Sequence, residues 1–348
     1  MNEARTGTPP PGVRPWFLWL TDRVPVSPLW VGGAITAALL GMLFAILEMG
    51  FMPQISLVFP NEVGLRIMIS FTVAAGAGVA VMPWMETAGL RDLAALRPWL
   101  RTSPADFEAF ERSFTHFAPR PLWTACLLGV AIHLLLSSAA NGFSGAPRLT
   151  STSIFPLANL MVLAPATYVL FSQTALLRRM ARDLRRIQLF DLRPLAPFAR
   201  VGLRTSLFYA ALFTILVGSH RDWTTGGLGL PTYVLVVMGL WTPICLSLAM
   251  LPIWGVHTRI QAEKRAELDR ITATLEGASD GLAGSSMAAH ADELRGIALL
   301  EYREKVEAVS EWPFGTSGLR RLALYVFIPP LGWLGGALVE RAIEPLLQ

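Results

Sequence analysis

Long uncharged runs separated by short charged segments set the pattern of this chain. A bilayer core about 30 Å thick takes roughly 20 apolar residues in a helix. Six charge-free runs approach that length: 29–47, 67–85, 122–139, 154–177, 230–256 and 322–339. A seventh, 205–219, is shorter and reaches membrane length if residues 201–203 join it and Arg204 snorkels. The pattern predicts an all-α, polytopic membrane protein with seven transmembrane helices.

The segments between the runs carry their own periodicity. The connections on one side are short, leaving no room for a folded outer domain. Those on the other side read as helical extensions. Residues 86–120 continue spans two and three, broken near Pro98 and Ser103-Pro104, where Ser103 or Asp106 caps the next helix. After span four, Arg178, Arg179, Arg182, Arg185 and Arg186 recur at helical spacing, predicting a helix that continues below the membrane until 191–197 turns the chain. Span six runs on through 257–277, with Ile260, Leu268, Ile271 and Leu275 on one face and the charges elsewhere. A second amphipathic helix follows, in which Leu299, Tyr302, Val306 and Val309 form a stripe. The two stripes predict a hairpin within one subunit, self-association of several subunits, or both. Trp312, Pro313 and Gly315 then make a hinge, because Pro313 cannot continue a helix and Gly315 is permissive. The expected organisation is an interfacial segment (1–28), spans one to six with helical inner loops (29–256), a cytoplasmic anchor or assembly region (257–315), and span seven with the C-terminus (316–348).

Composition narrows the class. Of 348 residues, 53% are hydrophobic and 16% charged, and the mean hydropathy is +0.48. An ordinary soluble domain carries about 25% charged residues, so a soluble enzyme is excluded. The net charge of +4 points to topology, not to nucleic acid. With the N-terminus cytoplasmic and seven spans, 25 of the 29 Lys and Arg residues fall inside, leaving only Arg66, Arg148, Arg221 and Arg341 outside. That is the positive-inside bias, and it places the C-terminus outside. Trp30, Trp84, Trp123, Trp223, Trp254 and Trp333 sit near span ends, as aromatic belts do. The aromatic stretch 16–20 between Arg14 and Arg23 predicts an interfacial helix, with no cleavable signal peptide. The only lysines are Lys264 and Lys305, an arginine-rich usage suited to a bacterial inner membrane.

Chemistry is sparse. His116, His133, His220, His257 and His290 are scattered, no Walker, HExxH or GxSxG motif occurs, and Cys126 and Cys245 lie in apolar runs. The expectation is a protein without catalytic residues, cofactor or metal. His133 lies inside span three, where a histidine either serves function or hydrogen-bonds a neighbouring helix. The last span is more informative. Tyr325, Pro329, Gly332, Gly336, Glu340 and Glu344 recur every three or four residues. Such a stripe either packs closely against another helix or lines a water-filled path whose carboxylates favour cations.

Seven spans with the N-terminus inside, a long sixth helix (257–277), a second helix over 291–309, the Trp312-Pro313-Phe314 break and a separate last span together resemble the insect chemoreceptor-like seven-transmembrane ion channel superfamily. The likeness is topological and covers most of the chain. It implies a homotetramer whose inner helices form a central anchor and whose last span lines a cation pore. On that reading the partners are membrane lipid, further copies of the chain and permeating ions. The alternatives are a secondary transporter, for which the paired halves and repeats are missing, and a non-conducting membrane scaffold or sensor.

Overall fold

The computed structural model describes residues 12–49, 61–140, 153–185, 187–218, 232–278, 282, 285 and 296–312. Its helices are α1 (Trp16–Arg23), α2 (Pro28–Glu48), α3 (Asn61–Leu96), α4 (Pro104–Thr115), α5 (Pro119–Ala140), α6 (Ile154–Met180), α7 (Ala196–Gly218), α8 (Thr232–Leu275) and α9 (Ile297–Ala308). Short 3-10 helices occupy Arg97–Trp99, Ala181–Asp183 and Arg193–Leu195. Among the described residues there is no strand, so the fold is all-helical.

Five helical stretches are long and apolar enough to cross a membrane: Pro28–Glu48, Gly64–Trp99, Ile154–Asp183, Arg193–Leu216 and Trp241–Leu275. A shorter apolar stretch covers Pro119–Leu135. These are the features of a multi-pass membrane protein. The short run at 205–219 is part of a longer helix because α7 starts at Ala196 and carries Arg200 and Arg204 at its charged end. The seventh run, 322–339, lies outside the described residues.

Two large cores stack along the bundle, beside a smaller one of Leu43, Ile46, Ile67, Met68 and Phe155. One joins Phe17, Leu18, Val79, Met82, Leu170, Tyr209 and Leu248 within the apolar stretches. The other joins Leu93, Phe107, Phe114, Met180, Phe198, Ile260, Ile271 and Val306 at the end rich in arginine. Around the first core Leu29, Trp30, Trp123 and Leu127 are at least 69% exposed, an apolar girdle that lipid would cover.

The ends of the elements follow from local chemistry. Ser103 caps α4 by accepting from the Asp106 amide, and Pro104 stands at the first helical position. α8 ends in a Schellman motif: Gly277 has φ 98°, its amide donates to the Thr274 carbonyl, and the Ala278 amide donates to that of Ala273. α1 is folded into the bundle, with Phe17 and Leu18 buried and the Trp16 indole donating to the Met161 carbonyl at 3.0 Å. Arg14 ties it down through Glu86 at 2.9 Å and Asp22 at 2.6 Å.

One sequence expectation is corrected. The helix after span four does not continue below the membrane to 191–197. α6 stops at Met180, a 3-10 turn follows, and Leu184 becomes extended and pairs with Leu100. The pairing satisfies backbone groups that the helix would have used: the Arg185 amide donates to the Trp99 carbonyl and the Arg101 amide to that of Asp183. Arg185 therefore spends its guanidinium on the Leu100 carbonyl at 2.8 Å.

Close backbone approach sets the α2–α3 seam. A Cβ on Gly76 would stand 1.9 Å from the Thr36 hydroxyl and 2.6 Å from the Gly32 carbonyl, whereas one on Gly33 meets nothing within 4 Å. Small residues permit this approach where no hydrophobic drive separates helix from lipid. We expect Gly76→Leu to cost about 1–3 kcal/mol through overpacking and to lower Tm in detergent, while Gly33→Leu leaves Tm unchanged. Equal melting of the two variants would contradict the seam.

Candidate functional site

α8 leaves the apolar core and continues as an amphipathic helix that α9 packs against. Ile260 and Ile271 are fully buried on the shared face. Contrary to the sequence expectation, that face also carries charge: Glu267 is 2% exposed. The reason is spacing. His257, Gln261, Lys264 and Glu267 recur every three or four residues, so they run along the same stripe as the isoleucines. This polar periodicity is the signal that a search for purely apolar stripes passes over.

Each polar residue on the stripe has a specific partner. The Lys264 ammonium donates to the carbonyls of Glu307 at 2.6 Å and Val309 at 3.0 Å. It thereby serves the last turn of α9, where unpaired carbonyls and the helix dipole favour a cation. Gln261 donates to the Glu311 carboxylate at 2.7 Å. The His257 ring stacks on the Trp312 indole with centroids 4.2 Å apart and planes 15° from parallel, and its Nδ1–H donates to the Glu311 carbonyl at 2.9 Å. One turn of α8 further on, Glu267 accepts from Tyr302 at 2.6 Å, from Ser285, and from Arg270 at 2.7 Å. A buried carboxylate with this many donors is satisfied, not stranded.

The predicted residues divide accordingly. Leu299, Tyr302 and Val306 are buried against α8, and Val309 packs at the edge of the same core. The stripe is thus covered within one chain, which is the hairpin arrangement. Trp312 of the hinge is held by His257. Pro313, Gly315 and the last-span residues Tyr325, Pro329, Gly332, Gly336, Glu340 and Glu344 lie outside the described residues. His133 is buried on α5, and its Nε2 has no hydrogen-bond partner among the described residues. Among the described residues no group of three His, Cys, Asp or Glu side chains is placed to hold a metal ion.

What the arrangement can do is mechanical. Trp312 is the last described residue after α9, and its ring is clamped on His257 where α8 leaves the membrane-length apolar run. No protein-family model matches the chain, and no curated protein or solved structure shows a significant match.

Two outcomes test the joint. Tyr302→Phe removes a hydrogen bond to a buried carboxylate, worth about 1.5–3 kcal/mol, so amide exchange in Ile297–Ala308 should accelerate about tenfold or more; unchanged protection would remove Glu267 from the joint. The Glu311 carboxyl is held below its ordinary value of 4.5, first by the Gln261 hydrogen bond and then by the charges of Lys264, His257 and Arg265. A depressed carboxyl stabilises the joint fully above its unfolded value and loses that contribution as pH falls through the lower, folded one. Spin labels on Ala262 and Glu304, in a background lacking Cys126 and Cys245, should keep one distance at neutral pH and separate only in strong acid. Gln261→Ala should move that transition to higher pH, and a shift to lower pH would contradict the assignment.

Proposed function

We propose that the protein is an oligomeric ion channel of the cell membrane, with seven spans, the N-terminus inside and the C-terminus outside. The last span lines a cation pathway, and the α8–α9 hairpin controls it. The single observation that supports this reading is the clamp of Trp312 on His257, which joins a folded helical hairpin to the residue immediately before the break leading into 322–339. A hairpin that only decorated the inner surface would need no such fastening at its far end. The charge bias supports the orientation, since the reverse arrangement would send 25 arginines and lysines across the membrane.

In this mechanism Tyr325, Pro329, Gly332 and Gly336 face the pathway and Glu340 with Glu344 form a carboxylate ring at its outer mouth, favouring cations by charge. Assembly, tetrameric on this reading, buries surfaces other than the Leu299–Tyr302–Val306 stripe, which α8 already covers. The joint transmits movement because packed interfaces switch between discrete arrangements instead of deforming smoothly.

The test is reconstitution of the full chain in liposomes. Cation flux is expected, Glu340→Gln with Glu344→Gln lowers the cation-to-anion permeability ratio several-fold, and Trp312→Ala changes open probability while leaving that ratio alone. Saturable solute uptake by a monomer would replace the channel with a carrier. Absence of flux from well-folded oligomers would leave a scaffold.

A further inference from the structure

α3 and α7 meet along a seam whose two sides change character at the same level. On α3, Trp84, Arg91 and Ala95 share one exposed face at helical spacing. On α7, Arg200, Leu207 and Ala211 do the same, with Arg204 turned toward α3. Asp92 is buried between the helices and accepts from Arg200 Nε and from Arg204 Nη2, each at 2.7 Å. One carboxylate offsets one guanidinium, so three arginines (Arg91, Arg200 and Arg204) against one aspartate leave two positive charges on the seam.

The arginines are not equivalent. Arg204 is mostly buried, held by Asp92 and lying with its Cζ 5.6 Å from the Trp84 ring centroid. Arg200 is 53% exposed and keeps unused N–H donors, and Arg91 is exposed one face away from Asp92. Trp84, 60% exposed, lies two turns from Asp92 along α3, in register with Leu207 and Ala211 on the antiparallel α7, and Arg204 reaches its ring. The order along the seam is therefore charge, then an apolar stretch formed by the indole, Leu207 and Ala211.

We propose that this seam binds an anionic phospholipid, with the phosphate held by Arg91 and Arg200 and the start of an acyl chain along Trp84, Leu207 and Ala211. Guanidinium forks match phosphate oxygens in geometry and charge. An indole at the edge of the hydrocarbon is the usual boundary marker. The apolar continuation selects a lipid over a free anion, which has nothing to place on Leu207. Arg204 acts as a positioning residue, since its donors are directed at Asp92. The proposal does not depend on whether the protein conducts ions.

The experiment uses the full chain in dodecyl maltoside, titrated with dioleoyl phosphatidylglycerol or dioleoyl phosphatidylcholine, with bound lipid counted by native mass spectrometry. Phosphatidylglycerol should bind more tightly. Arg91→Gln with Arg200→Gln should weaken it roughly thirtyfold, at about fivefold for each basic side chain facing the headgroup, and leave phosphatidylcholine unchanged. Arg91→Lys with Arg200→Lys should restore most of the preference. Arg303→Gln with Lys305→Gln, an equal loss of charge on the exposed face of α9, should leave it intact. If the double Gln variant does not fold, Arg91→Gln alone, which leaves Asp92 paired, carries the fivefold share. Equal affinity for the two lipids, an unaffected double Gln variant, or full displacement by an equal concentration of inorganic phosphate would each overturn the assignment.

Discussion

α8 crosses two solvents without a break, and the rest of the molecule is arranged around that constraint. Over its 44 residues the helix bonds most of its own backbone, as hydrocarbon demands, although Pro243 and Pro252 within it leave the carbonyls of Gly239 and Leu248 without their usual N–H partners. Outside the apolar region the same rod must still bury a face, because water penalises the exposed isoleucines. Leu248, Ala249 and Ile253 are buried among the neighbouring long helices, and Val256, Ile260 and Ile271 are buried in the second core, to which α9 contributes Leu299, Tyr302 and Val306. One continuous stripe thus serves two different covers. Gly255 lets α8 pass close to the end of α6: a Cβ there would stand 2.9 Å from the Arg178 carbonyl.

Buried carboxylates mark the places where elements distant in sequence are fastened. Glu86 receives Arg14, Asp92 receives Arg200 and Arg204, and Glu267 receives Tyr302, Ser285 and Arg270. Taking a carboxylate out of water costs several kcal/mol, so such pairs add little net stability against a well-packed apolar alternative. Breaking one is a different matter, at about 3–5 kcal/mol, because the remaining charge is stranded. What the pairs supply is register. They allow α1 on α3, α3 on α7, and α9 on α8 in one alignment each.

Parts of this were legible in the residues themselves. The apolar runs located the long helices, and Ser103-Pro104 located the start of α4. The extension of α8 beyond Val256 followed from Ile260, Leu268 and Ile271 at helical spacing, and Trp312 stood out by its neighbours. The partners of Trp312 did not. His257 and Glu311 lie 54 positions apart, and nothing in a linear pattern says that two such residues touch. Glu267 was illegible for a related reason, since a charge is assigned to solvent until a hydroxyl and a guanidinium are found around it.

By itself the chain determined its solvent and its helices, because hydrocarbon admits only segments that satisfy every backbone group internally, and those segments announce themselves by length and lack of charge. The tertiary structure alone decided where α6 stops, which polar residues are buried and which arginines remain free. These depend on what stands opposite each side chain across a helix interface, and that is a matter of three-dimensional register that no local periodicity encodes.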